Sequence, residues 1–275
     1  MASPGLIYAV YDSLSPRFVP MIEYRIENRV ATITLNRPDK KNALNPAMVQ
    51  ALNQAVEDAM ANDEVRALVL AAHGDVFSAG ADLESLQAMQ SWTEDEQRQD
   101  SLRLAKLYQR LYSGPKPVIA MVQGHALAGG CGLVSVCDWV FTVPEARFAY
   151  TEAAIGFVPA MVSVFLCRKM GEGHARPLLL NAARITAAKA LECGLVYRIV
   201  EQETLAATVN EFVQQLIKLN SGNSLALTKK LLSQNSGQAL EQAMINAIDV
   251  NVEARQSEPC RRGVAAFLNK EPLNW

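Results

Sequence analysis

Residues 117–137 read PVIAMVQGHALAGGCGLVSVC, an uncharged run bracketed by Lys116 and Asp138. Its length is about that of a membrane span. Pro117 and the glycines at 124, 129, 130 and 132 instead cut it into strand, turn and helix. A buried strand at 117–123, a glycine turn and a helix through Val136 make the molecule α/β. Working outward, ALVLAA (67–72) is too short and too apolar for anything but a second buried strand. IEYRIE (22–27) and VATITL (30–35) alternate with period two around Asn28-Arg29, which predicts a β-hairpin ended by Asn36-Arg37-Pro38. Asn45 then caps a helix with Pro46 at its first position and Met48, Leu52, Val56 and Met60 on its apolar face.

Between the two buried strands, HGDVFSAGAD (73–82) reads as a loop, and polar helices are expected at about 81–90 and 94–112. WVFTV (139–143) and ARFAY (146–150) look like a further strand pair, and beyond Gly171 the pattern is mainly helical to Trp275. The order is ββα, βα, βαββ and then helices, with a core over 21–200 and a helical region over 201–275. Residues 1–20 have a short apolar run, no basic start and a proline-flanked exit. They read as an extension outside the core and not as a signal peptide.

A chain of 275 residues makes one large domain or two small ones. Its 26 Lys and Arg against 28 Asp and Glu leave a net charge of −2, with no field to attract nucleic acid or anionic lipid. Half the residues are hydrophobic and 20% are charged, which excludes disorder. The five cysteines (131, 137, 167, 193 and 260) form no CxxC pair, which argues for a reducing, cytoplasmic setting and against zinc or a disulfide framework.

Few residues could act as catalysts. Of the three histidines, His73 and His174 lie beside glycines in apparent loops and read as surface residues, while His125 is a candidate to line a pocket. HExxH, GxSxG, GxGxxG and Walker patterns are all missing, so metal hydrolysis, serine catalysis and nucleotide cofactors find no support. Two strand-to-loop junctions stand out, FSAGADL (77–83) and GHALAGGCG (124–132), each placing small residues where a strand hands over to a helix. There the first helical N–H groups lack internal partners and point outward. Two of them aimed at one point would make an oxyanion hole, with small side chains letting a substrate reach the backbone. Either loop taken alone reads equally well as a tight turn.

Together, NRPDKKNALN (36–45), FSAGADL (77–83), GHALAGGCGLVSVCD (124–138), FAYTEAAIGFVP (148–159) and the tail ARQSEPCRRGVAAFLNKEPLNW (254–275) resemble the crotonase (enoyl-CoA hydratase/isomerase) superfamily. The resemblance implies a spiral of ββα turns with a helical C-terminal region that builds homotrimers, often paired into hexamers. It also implies an acyl-CoA thioester partner, CoA being part of the substrate, with no separate cofactor and no metal. Carried over by position, the N–H groups of Ala81 and Gly129 would hold the thioester oxyanion. Ala79, Ala81, Asp82 and Leu83 would lie along CoA, Lys40 or Lys41 near its phosphates, and His125 and Gly132 at the acyl end.

One departure stands out. A typical hydratase of this family has two glutamates. The second is present as Glu152, but the first position is Gly132. Glu152 is then the one acid/base, in an apolar setting that would raise its pKa towards neutrality. GLVSVCD and TEAAIGFVPAMVS are most similar to methylglutaconyl-CoA and isohexenylglutaconyl-CoA hydratases. A glycine at 132 is expected to give a substrate carboxylate room and spare it a repelling charge. A Δ3,Δ2-enoyl-CoA isomerase, which needs only one base, is the alternative. Single-acid decarboxylases and a scaffold without turnover also stay open.

Overall fold

The computed structural model describes residues 8–11 and 20–275. Strands β1 (Tyr8–Tyr11), β2 (Pro20–Glu27) and β3 (Val30–Leu35) form an antiparallel meander, β2 and β3 turning at Asn28 and Arg29, both with positive φ. Tyr8–Tyr11 thus pairs with β2; the rest of the expected extension, residues 1–7 and 12–19, lies outside the described residues. Asn45 accepts a hydrogen bond from the Met48 N–H and, with Pro46 following, starts α1 (Pro46–Ala61), whose Met48, Leu52, Val56 and Ala59 are buried.

From here each turn of the chain supplies one strand to each of two sheets. β4 (Ala67–Ala72) is followed by β5 (Val76–Ser78). After α2 (Leu83–Ala88) and α3 (Glu94–Ser113) come β6 (Val118–Val122) and β7 (His125–Leu127). After α4 (Gly129–Ser135) come β8 (Trp139–Thr142) and β9 (Arg147–Ala149). The remaining elements are α5 (Ala160–Met170), α6 (Glu172–Asn181), β10 (Ile185–Thr186), α7 (Ala187–Glu192), β11 (Arg198–Ile199), α8 (Leu205–Leu219), α9 (Gly222–Asn235), α10 (Leu240–Gln256) and α11 (Glu258–Asn269). The large sheet has the order β1-β2-β3-β4-β6-β8-β11, parallel from β3 onward, and the small one has the order β10-β9-β7-β5. This is the expected spiral with a helical C-terminal region.

Two local expectations change. WVFTV and ARFAY form strands but do not pair with each other: β8 joins β6 and β11, while β9 joins β7 and β10. The turn between them carries the chain from one layer to the other, as the turns after β4 and β6 do. HGDVFSAGAD is also not all loop, because Val76–Ser78 pairs in parallel with β7. Three-residue strands show no period that a sequence can reveal.

The polar helix α3 starts with a capping box, Thr93 Oγ1 accepting from the Glu96 N–H and Glu96 Oε2 from the Thr93 N–H. Leu107, Tyr108 and Leu111 are its buried face. Helix α8 buries Leu205, Val209, Val213 and Ile217 at four-residue spacing, each side chain contributing roughly 1.5–3 kcal/mol over exposure. Lys229 of α9 reaches inward, where its Nζ donates to Leu111 O, Lys116 O and Asp138 Oδ2 at 2.8, 3.0 and 2.6 Å. Among the described residues no helix is long and apolar enough to cross a membrane.

Candidate active site

The loop after β5 is held by main-chain hydrogen bonds to residues 41–44. Ala79 N donates to Lys41 O, Leu44 N to Gly80 O and Asp82 N to Leu44 O, at 2.9, 2.7 and 3.1 Å. Gly80 N donates to the buried Ser78 Oγ at 3.2 Å. Among the described residues this leaves the Ala81 N–H without an acceptor. Asn42, fully buried, accepts from the Arg37 N–H and donates to His73 O and Val76 O, stitching the supporting turn to the start of β5.

Asp82 does not face the groove. Its side chain is 6% exposed, it pairs with Arg37 Nη1 at 2.6 Å, and it caps α2 by accepting from the Glu84 and Ser85 N–H groups. Burial alone would raise the pKa of this carboxyl, but Arg37 and the cap N–H groups outweigh it and hold the group below its usual range. Lys40 is also turned elsewhere, paired on the surface with Glu84 at 3.0 Å.

The loop after β7 is held differently. Ala128 has φ 47° and ψ −125°, a conformation that costs a residue with a Cβ about 1–3 kcal/mol. Ala128 N donates to Ala149 O and Ala128 O accepts from Gly132 N, at 2.8 and 2.9 Å. The Gly129 N–H opens α4 and has no partner among the described residues. The two loops abut: a Cβ on Gly80 would lie 2.7 Å from that of Ala128 and 3.2 Å from Gly129 N. Gly80 has φ +91°, so glycine is needed there for its conformation and its closeness alike.

Both loops border a cavity of about 350 Å³. Ala79, Ala81, Leu83, Ala128 and Gly129 line one side, and Glu152, Ile155, Phe157, Val158 and Val162 the other. Leu83, Ile155 and Val158 are exposed, an apolar mouth open to a ligand. Glu152 opens a short 3-10 turn, and its Oε2 is buried without a hydrogen-bond partner. Burial raises its pKa above the usual carboxylate range, as expected of this residue, and outweighs the bond to its own N–H, which lowers it.

Matches to known proteins agree with this geometry. The family model described as "Enoyl-CoA hydratase/isomerase" matches residues 25–275. The chain belongs to this family. It is 40% identical over 246 residues to a "putative enoyl-CoA hydratase" of Thermus thermophilus, covering 90% of this chain and 97% of that one. It is 30% identical over 249 residues to the short-chain-enoyl-CoA hydratase of Clostridium acetobutylicum, covering 90% and 94%. The crystal structure of a Mycobacterium smegmatis enoyl-CoA hydratase superposes with a TM-score of 0.87 at 31% identity, over 93% of this chain and 99% of that one.

As a member of the enoyl-CoA hydratase/isomerase family, the chain brings together Ala79, Ala81, Leu83, Gly129 and Glu152 among the expected site residues. It leaves four outside the lining. Lys40 and Asp82 are engaged as described. His125 sits on β7, half-buried, with its pKa lowered by burial and by Arg184 and Arg147. Gly132 opens no room: a methyl group there would collide with Tyr108 Oη and lie 2.6 Å from Val162 Cγ1. Packing by Tyr108 and Val162, not space for a carboxylate, is what a glycine serves at this position.

Tyr108 is the residue that sequence reasoning missed. It is fully buried on α3 in the inner wall of the groove, and its hydroxyl donates to Gly129 O at 2.9 Å. Burial, and then Glu152, push the phenol's pKa far above its ordinary value, so it stays a neutral donor. Its sequence signal is the apolar face of α3, Leu104, Leu107, Tyr108 and Leu111 at helical spacing, which marks burial and nothing of the hydroxyl's partner.

Proposed function

We propose that the protein adds water to the double bond of a 2-enoyl-CoA with an apolar acyl chain, or removes it in reverse, with Glu152 as the single acid/base. The observation that carries this reading is the lining: two unpartnered N–H groups and one unpartnered carboxylate oxygen in an otherwise largely apolar groove. The N–H groups of Ala81 and Gly129 hold the thioester oxygen as it gains charge. Glu152 takes a proton from water while the water oxygen bonds to C3 and the double-bond electrons move to the thioester oxygen. The enolate then collapses, and Glu152 returns the proton to C2. One carboxylate suffices because it ends the cycle as it began.

A branched glutaconyl-type acyl group, to which the sequence motifs are most similar, finds less support. Its own carboxylate would enter a lining whose charged residues are Asp100 and Glu152, with no Lys, Arg or His. Unpaired charges in a poorly hydrated site repel by several kcal/mol at low effective dielectric. The homotrimer or hexamer is supported by exposed apolar residues along α10 and α11, among them Met244, Ile248, Val252, Val264 and Phe267, which fit a second copy of this chain.

The test is turnover of crotonyl-CoA in heavy-oxygen water. Incorporation of the label into the product is expected; a double-bond shift without label overturns hydration in favour of isomerisation. Glu152→Gln should lower kcat by about 10²–10⁴-fold and leave the fold intact; near-wild-type turnover removes Glu152 from the mechanism. Turnover by the wild type should rise with pH through the raised pKa of Glu152, because the base acts ionised. Stability runs the other way. A carboxyl whose folded pKa lies above its unfolded one stabilises the protein at low pH and loses that contribution as pH rises through the folded value. Glu152→Gln removes this slope, which denaturant titrations across that range would register.

A further inference from the structure

Gly129 contributes to two peptide planes, and both are hydrogen-bonded. The plane joining it to Ala128 is fixed where Ala128 O accepts from Gly132 N at 2.9 Å, which leaves the Gly129 N–H unpartnered. The plane joining it to Gly130 opens α4, and there Gly129 O also accepts from Tyr108 Oη at 2.9 Å. The Gly129 N–H lies in the first plane and turns with it, and the strained conformation of Ala128 would let that plane rotate if the neighbouring plane were free to follow. Tyr108 is itself closely packed. It is fully buried, its ring meets Phe165 edge-on at 6.2 Å, and its hydroxyl fills the space that any side chain on residue 132 would need.

We propose that Tyr108 is a positioning residue for the enolate: its hydroxyl clamps Gly129 O, and through it the strained loop keeps the Gly129 N–H aimed into the groove beside Glu152. This rests on the enolate reading given above. Tyr108 lines the inner wall of the groove, but its hydroxyl is committed to Gly129 O, so it acts on the oxyanion site through the loop. Its contribution should grow as charge develops on the thioester oxygen and be small for a bound thioester that stays neutral.

Tyr108→Phe tests this, because it keeps the ring and its packing and deletes only the hydroxyl. Losing one neutral hydrogen bond of this kind should lower kcat on crotonyl-CoA by up to about tenfold, with KM within about twofold. Two ligands give readouts that need no turnover. Acetoacetyl-CoA is enolised easily, and the enolate absorbs in the near ultraviolet; butyryl-CoA cannot be stabilised in this way. The variant should bind butyryl-CoA as the wild type does, measured by calorimetry, while the enolate band of bound acetoacetyl-CoA falls several-fold.

Unchanged kcat and an unchanged enolate band in Tyr108→Phe overturn the proposal. A fall in butyryl-CoA affinity matching the fall in kcat assigns Tyr108 to packing alone and overturns it equally. A wild-type protein that binds butyryl-CoA but shows no enolate band overturns the enolate reading itself, and the role of Tyr108 with it. These results are distinct, since the last appears before any substitution is made.

Discussion

The two loops that meet at the groove are held in opposite ways. The loop at 79–82 is supported from behind: three main-chain bonds to residues 41–44 and a buried ion pair keep it in place without strain at Ala81. The loop at 128–132 contains its own strain at Ala128 and is held against it by Ala149 O and by two buried tyrosine hydroxyls, Tyr108 on Gly129 O and Tyr150 on Cys131 O. The same chemical task, presenting one N–H, is met once by scaffolding and once by tension. A scaffolded loop should fail through loss of stability, and a tensioned one through loss of rate.

The largest expected effect breaks the scaffold. Asp82→Ala leaves Arg37 buried opposite an empty space and removes the cap of α2, which should cost about 3–5 kcal/mol of stability. Urea or thermal unfolding would show it, and a change under about 1 kcal/mol would mean the pair is not what supports the loop. Gly129→Pro strikes the other loop. It deletes the N–H at the first position of α4, where proline is accepted in helices, and a Cβ there would meet Leu44 Cδ1 at an ordinary 3.5 Å. The expected loss is about 2.7–4 kcal/mol of transition-state stabilisation, roughly 10²–10³ in kcat. Retained turnover in a folded variant would mean that another group holds the oxyanion.

The smallest effect sharpens the contrast. Ala128→Gly releases about 1–3 kcal/mol of strain and adds about 0.4–1 kcal/mol of freedom to the unfolded chain. A net gain of about 1 kcal/mol should raise the unfolding midpoint by roughly 2–4 °C. A drop in stability would show that Ala128 is not strained. The tensioned loop is then the one that can be made more stable by removing a methyl group, and the scaffolded loop is not.

What the sequence made legible follows from the kind of signal each feature leaves. The buried strands at 67–72 and 118–122 and the capped helix at 46–61 carry local patterns and were readable. So were the small-residue loops and Glu152, whose apolar neighbours implied the burial that raises its pKa. The partner of Asp82 was not, because a carboxylate after a run of small residues looks like a ligand contact until Arg37, 45 positions earlier, is brought beside it in space. Position 132 misled for the same reason. A glycine in a helix signals closeness, but only the folded chain shows that Tyr108 is what comes close. The separation of β8 from β9 depends on pairing between distant turns, which no local pattern encodes.

Lys229 has a consequence in time as well as in space. The carbonyls of Leu111 and Lys116 that it satisfies lie ahead of β6, an interior strand of the large sheet. A ribosome makes them more than a hundred residues before it makes the lysine. Strands β3, β4 and β6 can therefore pair while the chain is still emerging, but the polar groups at their junction wait for α9 before they are shielded from water. Lys229 acts as the last stone of the vault, and a chain released before it would leave these two carbonyls and the Asp138 carboxylate without their shared donor.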